Sequence, residues 1–434
     1  MIQSILQMEQ MTPHLFGIPM EFFLFALTLL GVALFHKHTM YVALTGLIVI
    51  VTFKFLTVPD FSLIHHLAGF EEDQGEWKTL LNLAGLLFGF AVLARHFELS
   101  GVPDKLPAYL PDNWTGGLVL LLIIMVLSSF LDNIASAMIG GSIALVVYKR
   151  RLHIGFLAAI IAASNAGGAG SVLGDTTTTL MWIDGVHPVD VLHAYIASFG
   201  AFAVFAVFGS MQQQKFQPIQ KGPTEGVKID ILTLMIVVGI LFATILANFL
   251  FGMPALGVWT GILLGAFIRK TPWRQVRLAL PGTVFLLSLV TCASLMPVNE
   301  LPVASWRTSF TLGFVSSVFD NIPLTKLCLE QGGYDWGLLA YAVGFGGSMI
   351  WFGSSAGVAL SNMFHETKSV ISYLRYGWHI ILAYIVGFGI LLISIGWHPV
   401  EKRGRGRSEN TSIIECEPSG LYFCEAAQDF FTYS

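Results

Sequence analysis

Apolar residues run through the chain in long blocks, and the polar positions fall mostly between the blocks. A helix that crosses a bilayer needs about 20 mostly apolar residues. Ten stretches come near that length: 15–35, 40–56, 79–97, 156–183, 191–209, 231–251, 254–268, 283–296, 336–360 and 376–395. Two of them are shorter than a straight span needs. Two further apolar stretches, 116–148 and 308–329, carry an Asp-Asn pair in the middle, Asp132-Asn133 and Asp320-Asn321. We read these as hairpins that enter the membrane and return on one side. The expected fold class is an all-α integral membrane protein.

The chain repeats itself. Ser128-Ser129-Phe130-Leu131-Asp132-Asn133-Ile134 recurs as Ser316-Ser317-Val318-Phe319-Asp320-Asn321-Ile322. A glycine-rich stretch inside an apolar block follows each copy, from Ser164 to Thr179 and from Gly344 to Gly357. Basic residues orient the spans. With the N-terminus outside, the inner loops hold Lys37, Arg95, Lys105, Lys149, Arg150, Arg151, Lys215, Lys221, Lys228, Arg269, Lys270, Arg274, Arg277, Lys368 and Arg375. The outer edges hold Lys54, Lys78 and Arg307. Lys402, Arg403, Arg405 and Arg407 dissent, just after the last span.

Five spans precede the cytoplasmic link 211–229 and five follow it, and an odd count turns the second half over. The expected organisation is a first inverted repeat over 1–210, with an inward hairpin at 116–148 and a broken helix at 156–183. A second repeat over 230–400 has an outward hairpin at 308–329 and a broken helix at 336–360, before a polar, disordered tail at 401–434. Paired interrupted helices at matching places in inverted halves mark a transport site near the membrane midplane.

Composition agrees. The chain is 55% hydrophobic and 12% charged, with a mean hydropathy of +0.71, where a soluble domain carries about 25% charged residues. The net charge of −4 is small and says little about partners, and no nucleic-acid partner is expected. Cys292, Cys328, Cys416 and Cys424 are scattered, which supports neither a metal cluster nor a disulfide framework, and leaves only a Cys416–Cys424 bridge open. The first 12 residues hold no basic residue, so the first span is read as an anchor and not as a cleaved signal. No phosphate-binding loop is present, so an ion gradient drives transport, without a cofactor. The expected location is multi-pass in a bacterial inner membrane, surrounded by lipid.

Glycine in a helix interior costs about 1 kcal/mol against alanine, so Gly167-Gly168-Ala169-Gly170 invites unwinding. Unwound backbone in a membrane survives only where it lines a cavity or is buried in protein. Its carbonyls can then hold a cation. Asp132, Asn133, Asp175, Asp320 and Asn321 offer hard oxygen ligands suited to sodium, and Ser164, Asn165, Ser171, Gly174, Thr176, Thr177, Ser348, Gly353, Ser354 and Ser355 complete the candidate site. Each has a plainer reading. Asp132 and Asp320 can accept hydrogen bonds from hairpin amides, and Asp175 can cap a helix. Lys326 can sit in a salt bridge, His65 and His66 in a solvated loop, and Asn82, Asn165 and Asn248 can tie helices together. Three function classes compete: a cation/proton antiporter, a transporter of an anion or neutral solute such as a carboxylate or arsenite, and an intramembrane aspartyl protease. The protease reading is weak, because its GxGD motif is missing around Gly174-Asp175.

These four motifs resemble those of the NhaD-type sodium/proton antiporters, which belong to the ion transporter superfamily with arsenite permeases and sodium-coupled dicarboxylate symporters. The resemblance runs from about Leu80 to His398. It implies an inverted-repeat, elevator-type transporter with two re-entrant hairpins and two broken helices, working as a homodimer without an enzymatic activity, with sodium ions and protons as the transported ions. The dicarboxylate symporters carry Ser-Asn-Thr at their hairpin tips. Here Asp132-Asn133 and Asp320-Asn321 stand instead, and a carboxylate there would repel a dianion.

Overall fold

The computed structural model describes residues 13–35, 38–59, 61–69, 76–220 and 228–401. Lys37, Glu71, Glu72, Asp73 and Lys221 lie outside the described residues, as do residues 1–12 and the tail with Lys402, Arg403, Arg405, Arg407, Cys416 and Cys424.

Apart from one short hairpin of two-residue strands, β1 (His14–Leu15) and β2 (Ile18–Pro19), the regular structure is helical. In the first half run α1 (Met20–Leu34), α2 (Thr39–Thr57), α3 (Leu63–Ala68), α4 (Trp77–Leu99), α5 (Val102–Lys105), α6 (Trp114–Ser128), α7 (Asn133–Val147), α8 (Ile154–Ala169), α9 (Thr176–Ile183), α10 (Pro188–Leu192) and α11 (Ala194–Phe216). In the second half run α12 (Ile231–Phe251), α13 (Pro254–Ala266), α14 (Arg274–Ser294), α15 (Trp306–Ser316), α16 (Asn321–Gln331), α17 (Trp336–Gly346), α18 (Ser355–Met363), α19 (Val370–Tyr376) and α20 (Trp378–Ser394). Five of the described helical spans are long and apolar enough to cross a membrane, or six with the α19–α20 pair, which is bent by 60°. The chain is an integral membrane protein.

Most expected spans meet a helix within a few residues, and 231–251 coincides with α12. The largest departure is α14. The expected span began at 283, but the helix begins at Arg274 and runs through Pro281. The exposed start of this helix carries the basic residues on its surface. Arg274 and Arg277 therefore belong to a helix and not to a loop.

The helices sort into two groups by what they pack against. α1, α2, α4, α12, α13 and α14 pack on one another, while α6 to α8, α15, α17 and α18 pack among themselves and against α11 and α20; α9 and α16 pack on each other and also against α4 and α14, and so bridge the groups. α12 and α13 meet through small residues. A Cβ on Gly257 would stand 2.1 Å from the Ala243 carbonyl oxygen, and one on Gly261 2.8 Å from Ile240 Cα. Such close approach gives dispersion contact that lipid cannot match. The opposite side of α12 exposes Ile231, Met235, Val238, Phe242, Ile245 and Phe249, an apolar stripe at helical spacing that suits a lipid environment. Asp230 caps α12, and Arg269, hydrogen-bonded to it at 3.1 Å, holds its carboxyl down at about 2.

Helix α4, 23 residues long and so roughly 34 Å at 1.5 Å per residue, orders the two hairpins. The α6–α7 hairpin has its open end by the C-terminus of α4: Ile143 and Val146 of α7 share a cavity with Gly101, Pro103 and Pro107. The α15–α16 hairpin opens at the other end. There Gln331 Nε2 donates to the Pro302 carbonyl at 2.8 Å, and Lys326 reaches Glu76, just ahead of α4. Lys326 is fully buried among three carboxylates. Its Nζ stands 2.9 Å from Glu76 Oε2 and 3.8 Å from Asp184 Oδ1, and it also pairs with Glu330. His66 lies half-buried beside this cluster, with Nε2 3.0 Å from Ser294 Oγ. Burial holds its ring pKa below the usual value, so it is not the freely solvated side chain of a loop.

A Gly257→Leu variant should be less stable by about 1–3 kcal/mol, the range for overpacking. Gly239→Leu, on the open side of α12 where nothing lies within 4 Å, should be near neutral. Thermal unfolding in detergent compares the two, and equal midpoints would contradict this account of the α12–α13 contact.

Candidate functional site

Both motifs fold the same way. A helix ends at a pair of serines, an aspartate caps the next helix, and the helix after that breaks at its glycines before a second capped segment. In the first half Asp132 caps α7 by accepting from Ile134 N at 3.2 Å, and Asp175 caps α9 by accepting from Thr177 N at 3.2 Å. In the second, Asp320 caps α16 through Ile322 N at 3.0 Å, and Ser354 caps α18 through Gly357 N at 3.2 Å. The glycines permit backbone crossings at the breaks. A Cβ on Gly174 would stand 2.0 Å from the Ser128 carbonyl oxygen, and one on Gly353 2.5 Å from that of Ser317.

The hydroxyl groups serve mainly the freed backbone. Ser128 Oγ donates to the Ser164 carbonyl at 2.5 Å and Ser316 Oγ to that of Val343 at 2.7 Å. Ser171 Oγ donates to Ser129 O at 2.7 Å, Thr178 Oγ1 to Ser171 O at 2.6 Å and Thr179 Oγ1 to Val172 O at 2.8 Å. Ser164 Oγ turns back to Ile161 O at 2.8 Å. Of the candidate residues, then, Ser164 and Ser171 point their protons at backbone carbonyls. A carbonyl that has lost its helical amide needs such a donor when no water can reach it.

Asn165 is the crossing point. Its Nδ2 donates to Ser348 Oγ at 2.9 Å and to Ser354 Oγ at 3.0 Å, and its Oδ1 accepts from Asn133 Nδ2 at 3.2 Å. One buried side chain thus ties the first hairpin tip, the first break and the second break together. Asn82 joins helices too, accepting from Ala255 N at 3.3 Å at the start of α13.

The carboxylates are arranged around Asp175, which is 1% exposed. Asp132 and Asp320 both interact electrostatically with it. Its Oδ1 also accepts from Thr176 Oγ1 at 3.3 Å, whereas its Oδ2 has no hydrogen-bond partner. Asp320 Oδ2 accepts from Ser355 Oγ at 3.4 Å. The Asn321 amide nitrogen is buried and unbonded. Among the described residues no three His, Cys, Asp or Glu side chains converge as a metal cage, so the three aspartates do not close around one ion together.

Asp132 lines a cavity of about 430 Å³ between α4, α14 and α7. Phe90, Leu286 and Met138 supply apolar wall, and Arg95 and Glu98, paired at 2.6 Å, stand at its rim. The same pair borders a second cavity of about 640 Å³ that reaches Asp104. Sequence reasoning placed Arg95 in an inner loop and gave Glu98 no role. Their spacing, three apart on one helix face, was the available signal.

Electrostatics limits what this centre can hold. A helix N-terminus carries roughly half a positive charge. Four of them, at α7, α9, α16 and α18, sum to roughly two, against three carboxylates. With all three carboxylates ionised, the deficit would be about one positive charge.

Known proteins can now be set beside this geometry. The chain is 27% identical to the Na(+)/H(+) antiporter NhaD of Vibrio cholerae over 328 residues, which take in 62% of this chain and 68% of that protein. The NhaD antiporter of Halomonas elongata is 24% identical over 392 residues, 73% of this chain and 76% of that protein. Sodium/proton antiporter 1 of Arabidopsis thaliana is 25% identical over 65% of this chain, and the match spans 56% of its length. No family model matches. The chain is a relative of the NhaD-type sodium/proton antiporters.

Replacing Asn165 by Ala should leave the Ser348 and Ser354 hydroxyls and the Asn133 amide short of a partner, a loss on the order of 2–3 kcal/mol. Thermal unfolding in detergent measures it. A midpoint equal to the parent's would show that these contacts are dispensable.

Proposed function

We propose that this protein exchanges sodium, or lithium, for protons across the membrane. The observation that carries the reading is the charge balance at the centre: three aspartates against four helix N-termini, one positive charge short. The names of the NhaD relatives agree with it. Sodium and a proton compete for the same missing charge. A centre that holds one and never both, and that crosses poorly when empty, couples the two fluxes with no further device.

The carrier is proposed to be an inverted-repeat elevator. The hairpins opening toward opposite ends of α4 support the inversion, and the packing of α1, α2, α4 and α12 to α14 on one another supports a scaffold, which the motif-bearing part meets through α9 against α4 and α16 against α14. The cavity at Asp132 lies in the seam between these groups and gives ions a route from the Arg95–Glu98 rim. That rim carries the basic side assigned to the cytoplasm. A homodimer through the early spans of each half, in a bacterial inner membrane, completes the proposal. Binding of an anion would gain from the four N-termini but would face three carboxylates, so that reading ranks second.

Proteoliposomes with imposed sodium gradients test the exchange. Asp132→Asn, Asp175→Asn and Asp320→Asn each keep size and remove a titratable group. At least one should abolish sodium-driven proton movement in a folded protein. In the parent, raising pH should tighten apparent sodium affinity, because fewer protons compete. Parental rates in all three variants would sink the proposal, and labelled dicarboxylates would be the next substrates to try.

A further inference from the structure

The two halves share a register around their breaks, and the side chains at matched positions differ in ways that bear on the centre. Ser128 and Ser316 reach the carbonyls of Ser164 and Val343, which pairs the next residues, Asn165 and Gly344. The glycines three positions on confirm the register. A Cβ on Gly168 would stand 2.8 Å from Asp175 Cβ, and one on Gly347 3.1 Å from Ser354 Cβ. Asp175 and Ser354 therefore correspond as well. Across the centre, Asn165 donates to Ser354 at 3.0 Å. The matching contact on the other side is Gly344 against Asp175, where there is no side chain to donate. A Cβ on Gly344 would stand 3.4 Å from Asp175 Oδ2 and 3.5 Å from Ala169 Cβ.

The missing side chain and the unbonded oxygen are the same feature seen from two sides. Asp175 Oδ2 is buried without a hydrogen bond, and a buried carboxylate oxygen without a donor is costly. The first half closes its equivalent place with an amide. The second half leaves a niche about one methyl group in size.

We propose that this niche is a seat for a dehydrated alkali cation against Asp175 Oδ2, and that Gly344 sets which ion fits. The proposal rests on the exchange reading above and adds to it the residue that determines ion size. A methyl group at 344 meets its protein neighbours at ordinary contact distance, so Gly344→Ala folds without strain while taking space from the ion. A larger ion loses more of that space than a smaller one. Gly344→Asn goes further: it supplies an amide to Oδ2, as Asn165 does to Ser354.

The test measures sodium- and lithium-dependent proton flux in proteoliposomes for the parent, Gly344→Ala and Gly344→Asn, with thermal midpoints taken in the absence of both ions. Gly344→Ala should keep the parental midpoint, lose apparent sodium affinity by about tenfold or more, and shift its preference toward lithium. Gly344→Asn should lose sodium dependence. Gly344→Ser provides a second small substitution with the same expectation as alanine. Parental sodium affinity and parental lithium preference in folded Gly344→Ala and Gly344→Ser, beside an active parent, would overturn the niche and leave the exchange reading standing. A parent without sodium-dependent proton flux would overturn both.

Discussion

Helix ends buried in a membrane protein have no water to turn to, and this chain brings four of them to one place. Every other feature of the centre follows from that constraint. The aspartates and the serine that cap α7, α9, α16 and α18 satisfy the first amides. Serine and threonine hydroxyls donate to backbone carbonyls beside the breaks. Asn165 then locks the tip and the two breaks together. Capping takes up part of each carboxylate, and what remains is a buried surplus of negative charge. The plain reading of these aspartates, as helix caps, holds geometrically.

Much of this was legible in the sequence because the relevant signals are local. Asp-Asn in the middle of an apolar block, repeated with its trailing glycines, falls at the α6–α7 and α15–α16 junctions, and the glycines fall at the ends of α8 and α17. Apolar length located most spans. What sequence missed depends on contacts far apart in the chain. Nothing near Ser171 or Ser164 indicates that a backbone carbonyl takes its proton. The start of α14 was missed because its first turn carries Arg274, Gln275 and Arg277 and so breaks the apolar run. Gly344 looked like one more glycine in a glycine-rich run until its position opposite Asp175 gave it a meaning.

The two ends of the molecule are not alike in this structure. At one end a cavity leads from Arg95 and Glu98 to Asp132. At the other, Lys326 holds Glu76, Asp184 and Glu330 together, and α9 runs from Asp184 back to Asp175. A buried ion pair is costly to break, on the order of 3–5 kcal/mol when one partner is removed. Through Glu76 the cluster ties α16 to the start of α4 and so joins the two helix groups.

The central claim is that one positive charge, sodium or proton, neutralises the centre. Proton release on sodium binding tests it most directly. Purified protein in weakly buffered detergent solution, titrated with sodium chloride near the midpoint of its pH dependence, should release protons as sodium binds, approaching one per ion as pH is lowered and falling toward none as pH is raised. Choline chloride should release none. Sodium binding with no proton release at any pH would contradict the account.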